Sequence, residues 1–333
     1  MTGCEYFDLG DVELQSGETL LDARLAYKTY GHLNSAGDNV VVLPTFYTGT
    51  HVRNEGFFGP GRAIDPQRHF VVSINMFGNG WSTSPSNAAA PQRGRGFPHV
   101  TLYDNVRAQH RLVFDGLGVQ RIKLVAGWSM AGCQTYHWGA MYPDVVDAIV
   151  PFCSSAKTSP HNFVFLEGIK AALQADPAWA RDEHPVAGLK AFARVYAGWA
   201  YSQTFYREGH YRDLGFETIE DLLVDWENDH VDNWDANNLL AKLWSWQHSD
   251  ISANPLYNGD FHAALKAITP RAIVIPCTQD LYFTPEDNEL EVAYMPNVEF
   301  RPYDSPYGHC VASPGRNAAF QEFLDDAIRD VLG

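Results

Sequence analysis

Val125-Ala126-Gly127-Trp128-Ser129-Met130-Ala131-Gly132 is the stretch on which the reading of this chain turns. The apolar run 122–126 reads as a short buried strand, and a helical pattern through Gln134, Trp138 and Tyr142 follows. A serine set between strand and helix among small residues is the pattern of a nucleophile elbow, a tight turn that lifts the serine side chain above the sheet. Small flanking residues are needed because the turn is strained and the helix packs close to the strand. Ala131 takes the last small position and Gly132 comes next, so the final glycine of the pattern is relaxed by one methyl group.

Similar apolar runs recur outward from this point, at 40–43, 70–74, 148–150 and 272–275. Their apolarity is nearly continuous rather than alternating, which suits parallel strands covered on both faces. Helical patterns over 103–117 and 134–142 fall between them, so the expected fold class is α/β with a mostly parallel, doubly wound sheet. From about 155 to 261 the rhythm breaks. That stretch has helical patterns, no buried strand, and many aromatics, among them Trp179, Phe192, Tyr196, Trp199, Trp226, Trp234, Trp244 and Trp246. It reads as a helical cap, residues 156–261, inserted in a core formed by 1–155 and 262–333 and shaping an apolar acyl pocket.

Composition excludes other classes. A net charge of −16 over 333 residues argues against nucleic acid and anionic membranes, which reward clustered Lys and Arg. Five cysteines without paired spacing read as reduced thiols, neither a disulfide framework nor a metal site. The first fourteen residues are polar and acidic, unlike a signal peptide. No apolar run approaches the ~20 residues of a membrane span. The expectation is a soluble cytoplasmic protein without cofactor or metal. Gly59-Pro60-Gly61 and Gly78-Asn79-Gly80 lack the placement of a dinucleotide fingerprint. The acidic tract Glu227-Asn228-Asp229-His230-Val231-Asp232 lacks calcium-loop spacing and reads as a solvated helix end. Arg62, Arg68, Arg93 and Arg95 read as scattered surface charges near the expected mouth.

A serine nucleophile needs a base, and the base needs an orienting carboxylate. In an elbow fold they follow in the order serine, acid, histidine, each after a late strand. Asp280 lies just past the 272–276 strand, with Asp287 and Asp304 as alternatives. His309 follows a last strand expected over 298–303, and Gly308 leaves room for its loop to approach the serine. The oxyanion needs two backbone N–H groups. Met130 supplies one. The loop Pro44-Thr45-Phe46-Tyr47-Thr48-Gly49 supplies the other, from Tyr47 or from Phe46.

Many segments together resemble the homoserine O-acetyltransferase family of α/β-hydrolases. They include Ala26-Tyr27-Lys28-Thr29-Tyr30-Gly31, Gly59-Pro60-Gly61-Arg62-Ala63-Ile64-Asp65, Asn75-Met76-Phe77-Gly78, Ser82-Thr83-Ser84-Pro85-Ser86, Thr101-Leu102-Tyr103-Asp104, Gly132-Cys133-Gln134 and Trp234-Asp235-Ala236-Asn237. The resemblance implies a Ser129–His309–Asp280 triad working through an acyl-serine, and a homodimer paired through the cap at roughly 187–246. The departures bear on activity. Cys310 stands where the family has an aspartate for the amino group of homoserine, and Ser202 where it has an arginine for the carboxylate. Phe46, Tyr47 and Trp128 add aromatic bulk near the serine. Each lost charge-assisted contact is worth roughly 1.5–3 kcal/mol. The resemblance and its departures imply a carboxylic-ester hydrolase for short acyl, notably acetyl, esters. The alternative is an acetyl-CoA-dependent O-acyltransferase acting on homoserine or another alcohol.

Overall fold

The computed structural model describes residues 3–332. Among these, eight strands form one sheet: β1 (Glu5–Glu13), β2 (Thr19–Tyr30), β3 (Val40–Pro44), β4 (Phe70–Ile74), β5 (Ile122–Trp128), β6 (Ala148–Phe152), β7 (Arg271–Val274) and β8 (Val298–Phe300). The spatial order is β1-β2-β4-β3-β5-β6-β7-β8. β1 with β2 and β2 with β4 are antiparallel, and the remaining pairs are parallel.

Side chains alternate across a strand, so each inner strand serves two cores. Val40, Val42, Val72 and Ile74 face a layer with Val106 of α1 (Leu102–Arg111) and Trp138 of α2 (Met130–Met141). Val41, Leu43 and Val71 face the other layer, where the C-terminal helix Ala318–Leu332 supplies Phe320, Leu324 and Ile328. Burial on both sides accounts for the continuous apolar runs and places the expected α/β class on a doubly wound sheet.

Two departures from the sequence reading concern the sheet edges. The polar N-terminal segment holds a strand, β1, which pairs along β2. A search for continuous apolar runs misses it, because its side chains are mostly exposed and only Leu9 is buried. The last strand, expected over 298–303, ends at Phe300, and Tyr303 pairs only with Cys277.

After β6 the chain leaves the sheet and returns at β7. The interval holds α3 (Pro160–Gln174), α4 (Pro177–Ala180), α5 (Val186–Ala200), α6 (Gln203–Glu208), α7 (Ile219–Asn233), α8 (Ala236–Gln247) and α9 (Phe261–Lys266). Their starts carry local signals: Ser159 accepts from Asn162 N ahead of Pro160, Thr218 and Asp221 cap reciprocally, and Asp235 accepts from Asn238 N. The aromatics of this layer turn inward. Phe165, Phe192, Tyr196 and Trp246 pack with Tyr47, Met130, Tyr282 and Phe283 from the loops above the sheet. The aromatic side chains of this layer are therefore largely used inside the molecule.

α10 (Pro285–Val292) ties the root of this layer to the core. Buried Glu291 accepts from Ala156 N at 2.9 Å, Lys157 N at 3.3 Å and Asn288 Nδ2 at 3.0 Å. Burial outweighs these bonds and raises its carboxyl from 4.5 to about 8. Between those values the folded state keeps a proton that the unfolded chain releases. The stability from this group is full below about 4.5 and is lost as pH rises through about 8. Thermal melts of the wild type and Glu291→Gln across this window should show the variant's relative Tm climbing with pH. A difference that stays flat with pH contradicts the assignment.

Candidate active site

The elbow is built by close approach of β5 and α2. Ser129 has φ 59° and ψ −131°, a left-handed backbone that costs a non-glycine residue about 1–3 kcal/mol. Ser129 N donates to Phe152 O of β6 at 3.0 Å, and Ser129 O accepts from Cys133 N at 3.0 Å. A Cβ on Gly127 would lie 2.5 Å from the Ala131 carbonyl carbon, and one on Gly132 would lie 2.2 Å from Ser154 Oγ. Both glycines are required, and the methyl group of Ala131 is tolerated. Every residue from Met130 to Ala140 is buried, so α2 has no freedom to relax the turn.

His309 Nδ1 lies 2.7 Å from Asp280 Oδ2, with both side chains buried. Asp280 Oδ1 accepts from Tyr282 N and Phe283 N, each at 3.1 Å, which fixes the carboxylate against its own loop. The alternative acids lie elsewhere. Exposed Asp304 accepts from Thr278 Oγ1, and Asp287 sits in the first turn of α10. Gly308 has φ 56°, and a Cβ there would meet Ser202 N at 2.9 Å and Gln279 O at 3.1 Å. Its lack of a side chain thus serves contact with the segment after α5 and with the Asp280 loop. The His309 ring is packed by Trp128 at 5.1 Å, Tyr282 at 4.5 Å and Phe283 at 5.6 Å, and Trp128 Nε1 donates to His309 O at 3.2 Å.

The 45–49 loop is tied to α2 by Gln134, whose Nε2 donates to Thr45 O at 2.9 Å and Met130 O at 3.2 Å. Phe46 O accepts from Gly49 N at 2.8 Å. Met130 is the first residue of α2, where an N–H has no intrahelical acceptor.

A cavity of about 770 Å³ has Ser129 and His309 in its wall, together with Phe46, Tyr47, Trp128, Tyr196, Tyr282 and Cys310. Burial pushes the Cys310 thiol up to about 12, so it is neutral. Ser202 does not line the cavity: it caps α6 and donates to Pro306 O. Among the described residues no cluster of His, Cys, Asp or Glu is arranged to hold a metal ion.

The acidic tract lies in the last turns of α7, with Asn228, Asp229 and Asp232 exposed as a solvated helix end requires and Glu227 and His230 buried. Glu227 is buried and paired with Arg194 and Lys190, while Asp225, Asp229 and Asp232 line the cavity. Their spacing of four and three residues puts them on one face of α7, a signal present in the sequence. The arginines need correction. Arg62 pairs with Asp325 and Arg95 with Asp182, and none of the four noted in the sequence lines the cavity. Arg53 and Arg316 do. Arg53 Nη1 donates to Thr48 O at 2.8 Å, and its guanidinium lies 5.0 Å over the Phe46 ring. Lost solvation lowers Arg53 below its usual range, with Asp229 acting in the opposite sense.

A family model described as the alpha/beta hydrolase fold matches residues 38–311. The chain is 34% identical to an ethyl acetate hydrolase from Pseudomonas veronii, over 98% of this chain and 95% of that protein. It is 30% identical to a homoserine O-acetyltransferase from Trichormus variabilis, over 92% and 88% respectively. The structure of the acetyl esterase MekB superposes with a TM-score of 0.95 at 33% identity, covering 99% of this chain and 96% of that one. The chain belongs to the α/β-hydrolase family, in the branch shared by esterases and homoserine O-acetyltransferases.

Proposed function

We propose that this protein is a carboxylic-ester hydrolase for small acyl esters, acetyl esters foremost, working through an acyl-serine on Ser129. The observation that carries the reading is the set formed by a strained serine, the His309–Asp280 contact at 2.7 Å, and one aromatic-walled cavity reached by Ser129 and His309. In this mechanism His309 takes the Ser129 proton as Oγ attacks the ester carbonyl. Asp280 holds the ring and stabilises the imidazolium. Backbone N–H groups of Met130 and the 45–49 loop receive the oxyanion. The alcohol leaves with the proton from His309, and a water deprotonated by the same base releases the acid. The similarity to an ethyl acetate hydrolase and an acetyl esterase supports this substrate class.

The choice of water as acceptor follows from the surroundings of His309. Neutral Cys310 offers no charge to an ammonium group, and Ser202 is spent on a helix cap. The packed rings of Phe46, Trp128 and Tyr282 favour a compact apolar acyl group. One observation favours a second reading, acyl transfer to a polar alcohol: Arg53, Arg316 and the three aspartates of α7 share the cavity wall. Charges of both signs along one wall suit a polar acceptor that an apolar wall would reject.

Two experiments test these readings. Ser129→Ala should remove nearly all p-nitrophenyl acetate turnover, and Asp280→Asn should cost roughly 10³–10⁴-fold in kcat, with Asp304→Asn near wild type. Retained activity in Ser129→Ala, or a silent Asp280→Asn, contradicts the mechanism. In a p-nitrophenyl ester series, kcat/KM should fall as the acyl chain lengthens. Homoserine should cause no release of CoA from acetyl-CoA. Saturable O-acetylhomoserine formation at rates matching hydrolysis would replace the hydrolase with the transferase.

A further inference from the structure

α8 sends a lysine into the interior beside the 45–49 loop. Lys242 is completely buried, and its Nζ donates to Tyr47 O at 2.5 Å. The ammonium lies 4.3 Å from the Trp234 ring centroid and 5.1 Å from that of Tyr47. One turn earlier, Leu239 O accepts from the Tyr47 hydroxyl at 2.9 Å. α8 therefore grips Tyr47 at both ends. The loop at Gly78 closes over the lysine stem, where an added Cβ would come within 3.2 Å of Lys242 Cγ. Burial draws the amine down from 10.5 to about 7. A buried ammonium without a carboxylate partner is costly, and an apolar side chain of the same length would fill this space more favourably. What Lys242 supplies that such a side chain cannot is a donor to the Tyr47 carbonyl.

We propose that Lys242 is a positioning residue for the oxyanion loop, fixing through the Tyr47 carbonyl the Tyr47–Thr48 peptide and with it the course of the loop whose backbone N–H groups meet the reacting oxygen. The C=O and N–H of a trans peptide point in opposite directions. Gly49 N holds Phe46 O, which sends Tyr47 N–H the other way. Lys242 holds Tyr47 O, which does the same for Thr48 N–H. Both peptide planes flanking Tyr47 are then set, whichever of these N–H groups faces the oxyanion. Tyr47 and Thr48 share the cavity wall with Ser129. The aim of the loop thus depends on α8, in the helical layer between β6 and β7. This inference rests on the acyl-serine reading of Ser129.

The test compares wild type, Lys242→Met, Lys242→Gln and Ser129→Ala with p-nitrophenyl acetate, alongside thermal melts and affinity for a trifluoromethyl ketone that forms a hemiketal oxyanion on serine. Loss of one oxyanion donor costs about 10²–10³-fold in other hydrolases, so a misdirected donor should lower kcat roughly 10- to 100-fold. KM should stay within about twofold, because the contact acts on the transition state. Trifluoromethyl ketone affinity should fall in parallel with kcat. Thermal melts should show both Lys242 variants folded at the assay temperature. Wild-type kcat in a folded variant overturns the proposal, as does a kcat loss without loss of ketone affinity. Failure of both variants to fold assigns Lys242 a structural role and also overturns it. An active Ser129→Ala would instead strike the underlying acyl-serine reading.

Discussion

The arrangement of the whole site depends on one strained residue. Ser129 is held at φ 59° because β5, β6 and α2 leave its backbone no alternative. The turn is tied at Ser129 N to the end of β6 and at Ser129 O to the first turn of α2, with Gly127 and Gly132 permitting contacts that any side chain would block. Strain of about 1–3 kcal/mol is sustained only where surrounding packing over-determines the conformation. Here that packing is the core itself, since α2 is buried on every side. The same constraint presents the hydroxyl to the cavity and starts α2 with Met130, whose N–H is free of intrahelical bonding.

Around this fixed point, the remaining parts are placed by separate structures. Asp280 and His309 come from loops after β7 and β8, joined by one hydrogen bond and enclosed by Trp128, Tyr282 and Phe283. The 45–49 loop is fixed from two directions, by Gln134 from α2 beneath and by Lys242 from α8. The helices between β6 and β7 therefore do more than roof the cavity. They supply its charged wall from α7 and a donor to the loop backbone from α8. The charged wall and the hold on the loop backbone share one source, so changes in those helices reach both.

The legibility of these features in the sequence follows their physics. The parallel strands β3 to β7 announced themselves because double-sided burial makes them continuously apolar, whereas β1 is mostly exposed and hid in a polar segment. Ser129, Asp280 and His309 stood out because each follows a strand, where local chain order carries the signal. The cavity wall did not stand out, because it is assembled from residues far apart in sequence. Arg53 and Arg316 face a shared space with α7 only after folding, and Lys242 meets Tyr47 across 195 positions. Asp225, Asp229 and Asp232 carried a readable periodicity, yet it marks only a shared helix face and says nothing of what that face meets.

The central claim is that an acyl group passes through covalent attachment to Ser129. Rapid-quench mass spectrometry of the intact chain with p-nitrophenyl acetate, followed by peptide mapping, addresses it directly. The account predicts a transient acetyl adduct on the peptide holding Ser129, formed in a burst with p-nitrophenolate and decaying as acetate appears. Turnover at the wild-type rate with no adduct on that peptide, or with the adduct on a different side chain, would contradict it.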